Sequence, residues 1–217
     1  MLKHMTIEFY QWNECDEADY LHRKETASLT SSRSSYMARK ALIKCLNINS
    51  LPHKWEDLEQ NHFHNLKNAP EQLSSLSHTK NWGAAVIASA KHYDSLGIDI
   101  ELKERKFPQQ AEHYFLNSQD ELEGLTNLEK WSLKEASFKA AHSYMKARNK
   151  KKPVKILKNI WIKKNHPHLA LNPNTDESLF SFGLLDDQSI QGIVTQLPHQ
   201  KLILSVAFLE NKTAALP

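Results

Sequence analysis

Two short stretches hold the side chains best suited to chemistry. In Leu96-Gly97-Ile98-Asp99-Ile100-Glu101, two carboxylates stand two residues apart. In Trp131-Ser132-Leu133-Lys134-Glu135-Ala136-Ser137-Phe138-Lys139, a third carboxylate, Glu135, precedes Lys139 by four. Ile98 and Ile100 alternate with Asp99 and Glu101, which predicts a strand with the apolar pair on one face and the acids on the other. Acids so placed lie about 6–7 Å apart and can share one cation. Without a cation they repel, and one tends to stay protonated. The second stretch lacks Gly and Pro and predicts a helix on which Trp131, Glu135 and Lys139 share a face. A carboxylate and an ammonium one turn apart suit a divalent cation and the phosphate oxygens beside it. Singly, each piece also has an ordinary reading, as a half-exposed edge strand or as a surface pair worth about 0.3–0.5 kcal/mol. Their combination favours chemistry.

Gly97-Ile98-Asp99-Ile100-Glu101, followed about thirty residues later by Trp131-Ser132-x-Lys134-Glu135-Ala136-x-x-Lys139, resembles the paired signature of the 4'-phosphopantetheinyl transferases. Upstream, Leu73 to Thr79 reads Leu-Ser-Ser-Leu-Ser-His-Thr and is similar to the Ser-His-Ser block that precedes the first acidic motif in that family. The resemblance implies transfer of the 4'-phosphopantetheine arm of coenzyme A to a serine of an apo acyl or peptidyl carrier protein. It implies Asp99, Glu101 and Glu135 as ligands of Mg2+, and Glu135 and Lys139 as the catalytic pair. It implies His78, Arg33, Lys67 and Lys139 as contacts to coenzyme A, with His78 on a phosphate and Arg33 at the 3'-phosphate, helped by Arg23 and Lys24. Lys67, in Leu66-Lys67-Asn68-Ala69-Pro70, stands where many members have Gly-Lys/Arg-Pro. Lys134 either contacts phosphate or flanks the site. Phe115, Asp120 and Glu121 resemble a family Phe-x-x-x-Glu element, and neither acid is given a metal role. The run Lys146 to Pro153 lacks the glycine usual there; it reads as a solvated basic segment or as a docking surface for the acidic helix of a carrier protein.

The resemblance also implies a fold. Long members are α+β monomers of two similar halves in pseudo-twofold arrangement, with the active site in the cleft between them, and 217 residues suit that type. The charged segment Lys103 to Pro108 places the boundary, giving halves of 1–105 and 106–217.

The elements that must position these residues are partly legible. Thr6 to Trp12 alternates as a strand, and a short helix follows the Asn13–Asp16 turn. Ser31 to Leu46 predicts a helix capped by Ser31 or Ser32, with a basic face of Arg33, Arg39, Lys40 and Lys44. Residues 47–70 read as loop around a short helix from Trp55 to His62. Trp82 to Ala90 predicts a buried strand. Asp94 to Gly97 reads as a tight turn that pairs it with the Asp99 strand as a hairpin. Gln109 to Leu116 predicts a helix, and Ser118 the cap of another, with Asp120 and Glu121 in its first turn. Leu128 to Met145 is the long helix. Four segments, 156–162, 179–185, 190–197 and 202–209, predict strands, the last three in an antiparallel meander.

Composition bounds the alternatives. Hydrophobic residues make up 40% and charged residues 24%, as expected of a soluble globular chain. The longest apolar run is too short to span a bilayer, and the N-terminus lacks a secretory core. Cys15 and Cys45, without CxxC spacing, read as reduced thiols in a cytoplasmic protein. His62-x-His64 and His166-x-His168 lack the companions of a zinc site. A net charge of +3 is no nucleic-acid signature. A basic-surface nucleotide- or nucleic-acid-binding module built on 31–46 and 146–158 is the rival reading, but it leaves the three acids unexplained. An inactive carrier-protein binder is the other.

Overall fold

The computed structural model describes residues 2, 4–25, 32–51, 53, 55–58, 69–148, 154, 156–164 and 178–211. It is a mixed α+β structure with two antiparallel sheets. The first sheet has strands β1 (Met5–Gln11), β2 (Gln72–Thr79) and β3 (Trp82–Ser89), in the order β1-β3-β2. The second has β4 (Tyr93–Leu102), β5 (Ile160–Lys164), β6 (Ser178–Leu184), β7 (Gln191–Leu197) and β8 (Leu202–Glu210), in the order β4-β8-β7-β6-β5. Helix α1 (Asp16–Glu25) leads to α2 (Arg33–Ile48), which packs on the first sheet. After the single turn of α3 (Glu112–Phe115), α4 (Asn127–Ala147) packs on the second sheet. No helix among the described residues is long and apolar enough to cross a membrane. Cys15 and Cys45 are both free, the latter buried.

Three buried clusters stack through the molecule. One joins α2 to Ala85 and Ile87 of β3. The second lies between the sheets, where Ile98 and Ile100 of β4 meet Leu73, Val86, Leu204 and Val206. The third joins α4 to Phe180, Phe182 and Val194. Alternation along β4 therefore has the expected consequence. The isoleucines enter the inter-sheet core, each side chain worth about 1.5–3 kcal/mol of burial, and the odd-numbered residues face α4.

The two sheets meet through hydroxyls rather than a ladder. Ile98 and Ile100 of β4 donate their backbone N–H groups to the Ser75 and Ser77 hydroxyls of β2, at 3.1 and 3.3 Å. Buried amides need acceptors, and two serines alternating on β2 supply them along an edge of β4 that no strand covers.

The expected hairpin between β3 and β4 does not form. β3 pairs with β1 and β2, and β4 pairs with β8. The β2–β3 connection is the tight turn, with Lys80 at φ 41°. Gly97 is a close-approach glycine inside β4: an added Cβ would fall on the carbonyl oxygen of Ala136 and 2.8 Å from the Ala140 amide nitrogen. Ser95 beside it donates to the Ala140 carbonyl at 2.6 Å. Gly83 on β3 plays the same part against Met37 and Ala38 of α2.

The helix expected after Ser118 is also absent. Asp120 instead closes a turn, accepting from the amides of Asn117 and Ile162 at 2.8 Å each. α4 begins later, where Thr126 and Glu129 form a reciprocal capping box. Ile156 to Asn159 is not strand; a 3-10 turn covers Leu157–Asn159 and β5 begins at Ile160. The short helix expected from Trp55 to His62 is a 3-10 turn over Trp55–Leu58, its remainder lying outside the described residues.

Because backbone, not a flexible side chain, blocks a Cβ at position 97, Gly97→Ala is expected to cost about 3 kcal/mol or more. Urea denaturation checks this through the unfolding midpoint.

Candidate functional site

β4 and α4 run in opposite directions where they cross, and that sets which side chains meet. Ser95 and Gly97 touch the backbone of α4 near Ala140 and Ala136. Asp99 and Glu101, on the same face of β4, then come under Lys139 and Glu135. The four sequence-predicted residues Asp99, Glu101, Glu135 and Lys139 are thus brought together at the β4–α4 crossing.

Lys139 is held from three directions. Its ammonium donates to the Ile98 carbonyl at 2.8 Å, to Asp99 Oδ1 at 3.0 Å and to Ser77 Oγ at 3.2 Å. An ammonium has three donors, so all are engaged within the protein. Ser77 in turn donates to Asp99 Oδ1 at 3.0 Å. One hydroxyl of β2 thereby ties together the acid of β4, the lysine of α4 and the Ile100 amide.

Asp99 and Glu101 are each only 6% exposed. Each has one oxygen held by a cation of this chain: Asp99 Oδ1 by Lys139, and Glu101 Oε1 by Arg105 at 2.6 Å. The other oxygen of each, Asp99 Oδ2 and Glu101 Oε2, is buried with no hydrogen-bond partner. A buried carboxylate oxygen left without a donor is costly. Loss of hydration pushes the Glu101 carboxyl up; the Arg105 hydrogen bond opposes this, and the charge of Asp99 adds to it. Burial likewise pushes Glu135 up, against the pull of Lys139 and with the push of Asp99 and Glu101.

Among the described residues, no three His, Cys, Asp or Glu side chains converge tightly enough to form a ready-made metal cluster. The donor set still fits a hard cation. It is all oxygen, and it offers two buried carboxylate oxygens without partners beside a third carboxylate whose proton affinity they raise. Mg2+ uses few protein carboxylates and completes its shell with water and ligand oxygens.

The other sequence-predicted residues divide. His78 follows Ser77 at the end of β2 and is exposed, near enough to Lys139 and Asp99 to feel their charges. Desolvation, then the nearby Lys139 ammonium, hold it below the usual imidazole range. Arg33 opens α2, paired with Glu17 at 2.6 Å and lying 4.3 Å above the Trp12 ring. These contacts place it on the α1–α2 side of the molecule, and no described contact joins it to the acids. Arg23 belongs to the same region, paired with Asp19 and over Trp55. Lys67 lies outside the described residues.

Lys134 is not available to phosphate. It is fully buried, ion-paired with Asp120 at 2.7 Å and donating to the Ile160 carbonyl. It joins α4 to β5 and to the 117–120 turn. Sequence reasoning gave no organising role to three residues that hold the site together, Ser77, Arg105 and Asp120. Ser77 was signalled by Ser75 and Ser77 alternating on one face of β2, and Arg105 by its place four residues after Glu101. Asp120 carried no local signal, because its partner lies on another element.

No known family's model matches the chain, and no curated protein matches it in sequence.

The raised carboxyls have a consequence for stability. A folded-state acid whose pKa is raised binds more protons than its unfolded counterpart between the two values, so stability falls as pH rises through that window. Glu135→Gln removes this penalty. In EDTA at pH 8 the variant is expected to melt above wild type, by about 2–4 °C per kcal/mol relieved. The gap closes toward pH 4, where the wild-type carboxyl is protonated. Thermal unfolding across pH checks the sign.

Proposed function

We propose that this protein transfers the 4'-phosphopantetheine arm of coenzyme A to a serine hydroxyl of an apo acyl or peptidyl carrier protein, releasing adenosine 3',5'-bisphosphate. The observation that carries the reading is the pair of buried, half-partnered carboxylates, Asp99 and Glu101, set beside Glu135 and Lys139. A nucleic-acid-binding surface gives no reason to bury two acids beside a third. Asp99, Glu101 and Glu135 would hold Mg2+, which supplies polarisation of the pyrophosphate and charge neutralisation on the leaving bisphosphate.

The chain's own residues account for the rest. The serine oxygen bonds to the phosphorus that carries pantetheine, and the bond from that phosphorus to the bridging oxygen breaks. The hydroxyl proton passes to Glu135, directly or through a water. Burial and the neighbouring acids raise the proton affinity of this carboxyl, the direction a general base requires. Lys139, fixed over Asp99, contributes positive charge at the phosphate under attack without being free to wander. His78, at the strand end, can donate a ring N–H to a phosphate oxygen. Arg33, over Trp12, is the proposed 3'-phosphate contact, and Lys67 a further one. The finer architecture belongs to the same reading: two similar α+β halves, each a helix on a sheet, with the active site in the cleft between them. So does a monomeric, cytoplasmic protein.

Intact-mass analysis of a panel of apo carrier proteins, incubated with this protein, coenzyme A and Mg2+, tests the reading. A mass gain of one phosphopantetheine arm, blocked by EDTA, is expected for at least one carrier. Coenzyme A binding with no gain on any carrier favours the inactive binder. Steeply salt-dependent DNA or RNA binding with neither favours the basic-surface module. Glu135→Gln is expected to slow transfer by at least about 100-fold with the fold intact; wild-type turnover at saturating Mg2+ would sink its assignment. Arg33→Ala is expected to raise KM for coenzyme A more than it lowers kcat, and an unchanged KM removes Arg33 from the site.

A further inference from the structure

Arg105 has no role in the chemistry above, yet its contacts are built rather than incidental. The Arg105 amide donates to the Leu102 carbonyl at 2.9 Å, so the chain turns back as soon as β4 ends. That turn returns the guanidinium to Glu101, four residues earlier, at 2.6 Å. The guanidinium also lies 5.8 Å from the Phe107 ring, and Phe107 packs 5.6 Å from Trp131, one turn before Glu135 on α4. Arg105 is half-exposed while Glu101 is buried. It therefore reaches in from the rim and takes one carboxylate oxygen only. On the neighbouring acid, Lys139 and Ser77 do the same at Asp99 Oδ1. In both cases the second oxygen stays buried and without a partner.

We propose that Arg105 is a positioning residue for the cation site: it fixes Glu101 through Oε1 and so presents Oε2, beside Asp99 and Glu135, to a divalent cation. This rests on the reading of Asp99, Glu101 and Glu135 as cation ligands. A carboxylate free to rotate loses ordering entropy on binding a cation, whereas one already hydrogen-bonded on its far oxygen does not. Outer partners of this kind are worth about 10–100-fold in metal affinity. The opposite arrangement, in which Arg105 competes with the cation for Glu101, predicts the opposite sign.

Mn2+ binding to the metal-stripped full chain, read by electron paramagnetic resonance of the free ion, separates these. Wild type is expected to bind Mn2+, and Glu101→Gln to lose most of the affinity. Arg105→Ala should bind about 10-fold or more weakly, with Arg105→Lys recovering part of the loss, since a lysine restores a donor at Oε1. The melting midpoint in EDTA reports that each variant is folded; if Arg105→Ala is not, Arg105→Gln is read by the same criteria. Unchanged or tighter binding by Arg105→Ala, with Glu101→Gln weakened, overturns this inference and leaves the transferase reading standing. No Mn2+ binding by wild type overturns both.

Discussion

The crossing of β4 and α4 buries negative charge, and much of the local structure answers that one constraint. Asp99, Glu101 and Glu135 lie within electrostatic reach of one another, the first two buried and the third partly so. Like charges so placed repel, and loss of hydration penalises each. The chain meets the cost only partly. Lys139 and Arg105 each neutralise one acid through one oxygen, and Ser77 adds a hydrogen bond. What remains is two orphaned oxygens and a raised Glu135, a site whose charge is left incomplete.

Such a site requires the helix to be held firmly, because its own charges do not hold it. Gly97 removes the side chain that would keep α4 away, the small residues Ala136 and Ala140 meet it, and Ser95 bonds the helix backbone. On the far side the buried Lys134–Asp120 pair fixes α4 to β5 and the 117–120 turn. A buried ion pair adds little net stability over an apolar pair. Removing one partner, however, strands the other charge at a cost of about 3–5 kcal/mol, so the pair specifies geometry more than it stabilises. Two adjacent residues of one helical turn thus divide the labour, Lys134 anchoring the helix and Glu135 serving the site.

The same incompleteness gives the proposed chemistry its physical basis. A base needs a proton affinity above that of an ordinary carboxylate, and a cation site needs oxygens that the protein does not itself satisfy. Burial beside like charges supplies both at once. His78 fits the same logic: loss of hydration, and then the Lys139 ammonium that steadies Asp99, disfavour its charged form.

By itself the sequence determined the α+β class, most of the strands, the α4 helix and the identity of the four residues at its centre. Those features repeat at a local period: alternation along β4, and spacing by four along α4. The capping box at Thr126 and Glu129 is equally local, and the long helix read from Leu128 begins one residue earlier, at Asn127. Tertiary structure decided what depends on partners distant in the chain. Whether Gly97 is a turn or a close approach turns on α4, some forty residues later, and no local pattern separates the two. Lys134 and Glu135 are neighbours in sequence with opposite fates, because Asp120 and the Ile160 carbonyl meet the first and the acids of β4 meet the second. Ser77 and Arg105 matter only because folding sets a hydroxyl and a guanidinium against buried carboxylates. Side-chain type shows which groups can carry charge; which charges are satisfied, and which are left over to act, is decided by three-dimensional neighbours.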